Sequence, residues 1–128
     1  MEAQYYTPTI DEFHVGFEYE ELRKDWVKLT YGGFLPKTIG EYLKEGAIRV
    51  KHLDRQDIEE CGWKIDKHGN YYFKVNENWG YSLYYDKEEK VWSIDNGEEY
   101  EMWVQYFKGT IRNKSELKKL MQMLNIKQ

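Results

Sequence analysis

The chain has one cysteine, Cys61, so no disulfide can close within it, and a lone thiol falls short of a structural zinc set. It has two prolines, too few for a Pro-rich linker. No apolar stretch approaches the roughly 20 residues that a membrane-spanning helix needs. The opening MEAQYYTPTIDEF has neither the basic start nor the apolar run of a secretory signal. These absences make a reducing cytoplasm the expected location, with no membrane partner. Motifs that announce a reaction are missing as well: there is no P-loop, no GxGxxG and no GxSxG. YGGF at 31–34 has glycines but no predicted helix directly behind it, which phosphate cradling requires. No repeat or low-complexity tract occurs, and turn signals are evenly spread. A single domain spanning 1–128 is therefore expected.

Aromatic residues are abundant: twelve Tyr, five Trp and five Phe make up 17% of the chain. Such rings serve core edges and binding faces alike, because each Tyr and Trp joins a large apolar body to a polar atom. The formal net charge of −4 conceals an asymmetry. Residues 1–21 carry six acidic side chains and no basic one, whereas residues 108–128 carry six basic side chains against Glu116. The basic end suits an acidic partner, or the acidic end of the same chain.

Periodicity then gives the elements. In EFHVGFEYE (12–20), Phe13, Val15, Phe17 and Tyr19 alternate with Glu12, His14, Gly16, Glu18 and Glu20, which predicts a strand. DWVKLTYGGFLP reads as a second strand ending at Gly32–Gly33. KTIGEYLKEG reads as a short helix, with Thr38 and Glu41 at capping-box spacing and Gly46 as the stop. A strand over AIRVKHL and a second short helix over DRQDIEECG follow, the helix capped by Asp54 and stopped by Gly62. From Trp63 to Phe107 short strands and tight turns alternate, the pattern of an antiparallel meander. Leu117, Leu120, Met121 and Leu124 then mark one face of an amphipathic C-terminal helix, with Asn113 and Glu116 at cap-and-N3 spacing. The fold class is α+β: an antiparallel sheet or meander with two short helices and a longer C-terminal amphipathic helix.

Chemistry is sparser. On a flat strand His14 and Glu18 would sit roughly 13 Å apart, too far to share a metal ion. Glu18 and Glu20 can share one only with partners from another strand, which would make a carboxylate-based, metal-assisted hydrolase. The competing reading is the wet face of a sheet. His52 and His68 stand far from His14 and from each other, so no catalytic residue, metal ligand or cofactor is assigned. Cys61 sits near a helix end after two glutamates, where a thiolate is disfavoured, and is read as a structural thiol. Arg112, Lys114, Lys118 and Lys119 would serve a weak nucleic-acid binder, but the sequence pI near 5.5 argues against that role, and lysines opposite an apolar stripe ordinarily solvate a helix. The aromatic meander is the most unusual feature. Alternation cannot bury every ring in YSLYYD and VWSID on one face, so the outer rings become candidates for docking a partner or stacking on a ligand. Trp79, Tyr84 and Trp92 are the expected binding residues. The alternative is that the rings build a second small core.

Three stretches, YYTPTIDEFHVGFEYE, IRVKHLDRQDIEECGW and FKGTIRNKSELKKLMQML, together resemble small uncharacterised proteins encoded by phages and mobile elements of gut Bacteroidales. The resemblance spans most of the chain and carries over no catalytic residue. It implies a small accessory protein in the cytoplasm of a host cell. The expectation is therefore a non-enzymatic binding module that docks a host or phage protein, or a small ligand, through its aromatic meander; the outer rings also leave room for a homodimer.

Overall fold

The computed structural model describes residues 3–33, 37–75, 77, 80–96 and 104–126, with the side chains of Lys37 and Thr38 excepted. Within these residues the protein is α+β, with nine strands, all antiparallel, in two sheets and three α-helices. The sequence reading anticipated one sheet. The chain forms two compact units, Met1–His52 with Asn113–Ser115, and Leu53–Arg112 with Glu116–Gln128.

The first unit departs from the expected opening strand. Strand β1 (Tyr5–Tyr6) leads into a 3-10 turn at Ile10–Glu12, and strand β2 begins only at Glu18 (Glu18–Leu22). The cause is local. The Glu12 carboxylate reaches back to accept the Thr9 N–H at 2.8 Å, so T-x-x-E at 9–12 works as the reach-back half of a capping box. Gly16 then adopts φ +93°, which a strand residue with a side chain would resist. His14 therefore lies in the connection, its Nδ1 3.0 Å from the Glu12 carbonyl oxygen, and not on a strand face with Glu18. Glu12 is buried; it also accepts the Tyr6 hydroxyl at 2.7 Å, and that hydroxyl accepts the Asn113 amide at 2.8 Å.

Strand β2 pairs with β3 (Trp26–Thr30) and with β4 (Ile48–Lys51), giving the order β1-β4-β2-β3. Helix α1 (Lys37–Lys44) precedes β4. Phe17, Ile39, Ile48 and Val50 are buried, and Phe13 meets the Phe17 and Tyr19 rings edge-on at 4.8 and 5.2 Å. Alternation sends Glu20 to the opposite face. There it stands beside Lys28 and Arg49 in register, and Arg49 donates to its carboxylate at 2.9 Å.

The second unit is the expected meander. Strands β5 (Lys64–Ile65), β6 (Tyr71–Lys74), β7 (Gly80–Asp86), β8 (Val91–Asn96) and β9 (Gln105–Gly109) lie in chain order, each antiparallel to the next. Tyr81, Leu83 and Tyr85 stand opposite Asn96, Ile94 and Trp92, and this face carries the core. Helices α2 (Arg55–Glu60) and α3 (Lys114–Met123) supply Ile58, Leu117 and Met121 to it. Trp63 is fully buried there and donates its indole N–H to the Met121 sulfur at 3.3 Å. Cys61 is buried in the same cluster. Asp54 caps α2 as its spacing predicts, accepting the Asp57 N–H at 2.9 Å. Glu116 differs from expectation: its carboxylate accepts the backbone N–H of Arg112, one residue before Asn113.

Candidate functional site

The β7–β8 register divides the aromatic residues between two faces. Leu83 and Tyr85 point with the core set, whereas Ser82, Tyr84 and Asp86 point away from it, opposite Asp95, Ser93 and Val91. Strand β6 adds Tyr72, in register with Ser82, to that outer face. Between Ile94 and Asp95 the pairing with β9 slips: Ile94 faces Phe107 but Asp95 faces Gln105, so Tyr106 is the extra residue of a bulge. Bulges twist a strand and redirect its side chains, and they gather near sites of function.

Beside this bulge an open groove of about 780 Å³ runs along β7, β8 and β9 to the β7–β8 turn. Tyr84, Ser93, Asp95 and Gln105 line the sheet end of it. Asp95 is 1% exposed, and its neighbours in register are the neutral Ser82 and Gln105. At the turn end, Asp86 accepts the Glu88 and Glu89 N–H groups at 2.9 and 3.2 Å, which fixes the loop as an Asx-type turn. Lys90 closes that loop at φ +56°. Lys108 approaches Glu89 at 3.9 Å across the groove mouth. Tyr85 also lines this end and leans on Trp92, with ring centroids 4.5 Å apart. On the core side Tyr81 meets Tyr106 edge-on at 5.6 Å, and burial pushes the Tyr81 phenol above its ordinary pKa. The groove thus offers a flat ring, hydroxyl and amide groups, and carboxylates, which are the means to hold a ligand.

The expected site residues part company here. Tyr84 is 39% exposed and lines the groove. Trp92 is 9% exposed, belongs to the core cluster and is not among the groove's lining residues; the Tyr85 ring lies tilted against it. Trp79 lies outside the described residues, as do Tyr100 and Trp103. Sequence reasoning missed Asp95, Ser93 and Gln105; the alternation that puts Tyr84 outward would have placed Ser93 and Asp95 beside it once the β7–β8 register was known.

The other candidates sit elsewhere. Glu18 and Glu20 do share a face of the first sheet, with Glu20 ion-paired to Arg49 and the Glu18 N–H donated to the Ser115 hydroxyl at 2.9 Å. Among the described residues no group of three or more His, Cys, Asp or Glu side chains is placed to hold a metal ion. Arg112 is ion-paired to Glu116, Lys114 is half-buried, and Lys118 and Lys119 are exposed on α3. Among the described residues no helix is long and apolar enough to cross a membrane. No family model, curated protein or solved structure matches the chain.

Proposed function

We propose that the protein is a non-enzymatic binding module whose site is the groove over β7, β8 and β9. The observation that carries this reading is the exposed Tyr84 ring standing beside a groove of ligand size, with Ser93 and Gln105 among its lining residues. Small-ligand pockets commonly span about 300–1,000 Å³ and combine ring surfaces with a few fixed polar groups. A phage or mobile-element origin rests on the sequence resemblance alone; with it, the partner is a molecule of the host or phage, met in the host cytoplasm.

A fragment screen by NMR tests the reading. Hits should perturb amides of β7, β8 and β9. Ser93→Trp, which fills the groove, should abolish them. Tyr84→Ala should weaken them by about 1–2 kcal/mol, roughly 5- to 30-fold, the usual loss for an aromatic anchor. Hits that map elsewhere, or that survive Ser93→Trp, refute the site.

A further inference from the structure

Each sheet ends in two edge strands, where one side of the backbone has no ladder partner. Three of these four edges are protected. Strands β1 and β5 are two residues long, and β9 is broken by the bulge at Tyr106. Strand β3 is different: all five of its residues, Trp26 to Thr30, pair with β2 without a slip.

The hydrogen-bond phase of β3 follows from its neighbours. Tyr31 donates its N–H to the Phe17 carbonyl at 2.9 Å, and this pair continues the β2–β3 register. Bonded and non-bonded pairs alternate in an antiparallel ladder, so Leu29 and Val27 also bond to β2. On the far side of β2, Leu22 donates to the Ala47 carbonyl at 2.8 Å, so the even residues of β2 serve β4, in agreement with that phase. The N–H and C=O groups of Trp26, Lys28 and Thr30 therefore point to the open edge. Among the described residues no backbone hydrogen bond reaches them from that side. Val27 and Leu29 on one face and Trp26 on the other are only half-buried, so a strand laid along this edge covers apolar surface on both faces.

Lys28 decides what that strand can be. It is the central residue of β3, exposed, and on the face of Glu20 and Arg49. A second copy pairing antiparallel about this point would set Lys28 against its own counterpart, and like charges directly opposite are destabilising. A carboxylate in that position is attracted instead. We propose that β3 receives an extended peptide segment of a partner protein as an added antiparallel strand, apolar where it meets Val27 and Leu29 and acidic where it meets Lys28. This surface belongs to the first unit and is independent of the groove in the second.

Amide NMR of the full chain with three acetylated and amidated peptides, STVEVTS, STVKVTS and STVPVTS, tests this. STVEVTS should give saturable shifts on β3. It should bring the Trp26, Lys28 and Thr30 amides under protection from hydrogen exchange, while those of Val27 and Leu29, already bonded, change little. It should bind at least about threefold tighter than STVKVTS, by a margin that shrinks in salt. STVPVTS, which lacks the central N–H, should not bind. Lys28→Gln should weaken STVEVTS about two- to fivefold, and Lys28→Glu should reverse the order of the first two peptides. Equal binding of STVPVTS overturns strand addition. A peptide order unchanged in both Lys28 variants overturns the charge selection. Protection of Lys28 and Thr30 in the chain alone, with a dimer in sedimentation, makes the occupant a second copy and overturns the peptide assignment. Silence from all three peptides at millimolar concentration removes the surface, whatever the fragment screen finds at the groove.

Discussion

Asp66 opens the β5–β6 hairpin and organises it with a single carboxylate. Its Oδ1 accepts the His68 and Asn70 N–H groups at 2.8 and 3.0 Å, and Gly69 takes φ +85° to complete the turn. The hydrogen bond from Asn70, seconded by that from His68, holds the Asp66 carboxyl below its ordinary pKa of 3.8. A group whose folded pKa is depressed contributes stability that is complete above its unfolded value. That contribution is lost as pH falls below 3.8 and through the folded pKa. Carboxyl-detected NMR titration should find Asp66 titrating below 3.8, with the His68 and Asn70 amide shifts moving in the same step; titration at or above the ordinary value would show that the turn does not depend on the carboxylate. At this scale the sequence was readable where the chemistry is local, as in this turn and at the Asp54 cap. It was not readable for Trp92. Nothing in VWSID says which of two adjacent faces meets the core, because that depends on the register with β7.

Each helix stops in the same way. At the end of α1 the Ala47 N–H reaches the Tyr42 carbonyl and Gly46 N–H that of Leu43; at the end of α2 Trp63 reaches Ile58 and Gly62 reaches Glu59; at the end of α3 Ile126 reaches Met121 and Asn125 reaches Gln122. These are Schellman motifs, with the left-handed residue at Gly46 (φ +70°), Gly62 (φ +99°) and Asn125 (φ +58°). A Cβ built on Gly46 meets nothing within 4 Å, so any cost of adding one there is conformational and not steric crowding. Gly46→Ala should therefore destabilise by about 1–2 kcal/mol. Asn125→Gly, relieving the same conformation, should be neutral or stabilising by up to about 1 kcal/mol. Thermal unfolding of the two variants checks both signs, and a neutral Gly46→Ala would contradict the motif. The glycine stops were legible because glycine announces them. The Asn125 stop and the T-x-x-E signal at 9–12 were overlooked, each for a competing pattern: the helical stripe ran past the first, and strict alternation over 12–20 masked the second. Alternation counts side chains and is blind to a carboxylate that captures its own backbone.

At the scale of the whole molecule, the α+β class followed from periodicity, since the change from helical stripes to short alternating strands is written along the chain. The number of sheets was not, because sheet membership depends on pairings between distant segments. The question left open by the sequence was whether the aromatic meander is a second core or a binding face, and the described residues divide the rings between the core and the outer, exposed face of the sheet. This division has a direct thermodynamic consequence within β7. Leu83 is fully buried among the side chains of the second unit, and its neighbour Tyr84 points the other way. Leu83→Ala should cost about 2–5 kcal/mol, the range for emptying a packed core site. Tyr84→Ala should stay within about 1 kcal/mol, since an exposed ring gives up little packing. Urea unfolding of the pair decides between the two architectures for this strand. A sheet covered on both faces would make both substitutions severe. A sheet packed on one face makes adjacent residues differ by several-fold in cost. Because the Tyr84 variant is expected to stay folded, it also serves the test of the proposed groove: a fragment signal lost in it reads as a lost contact and not as unfolding.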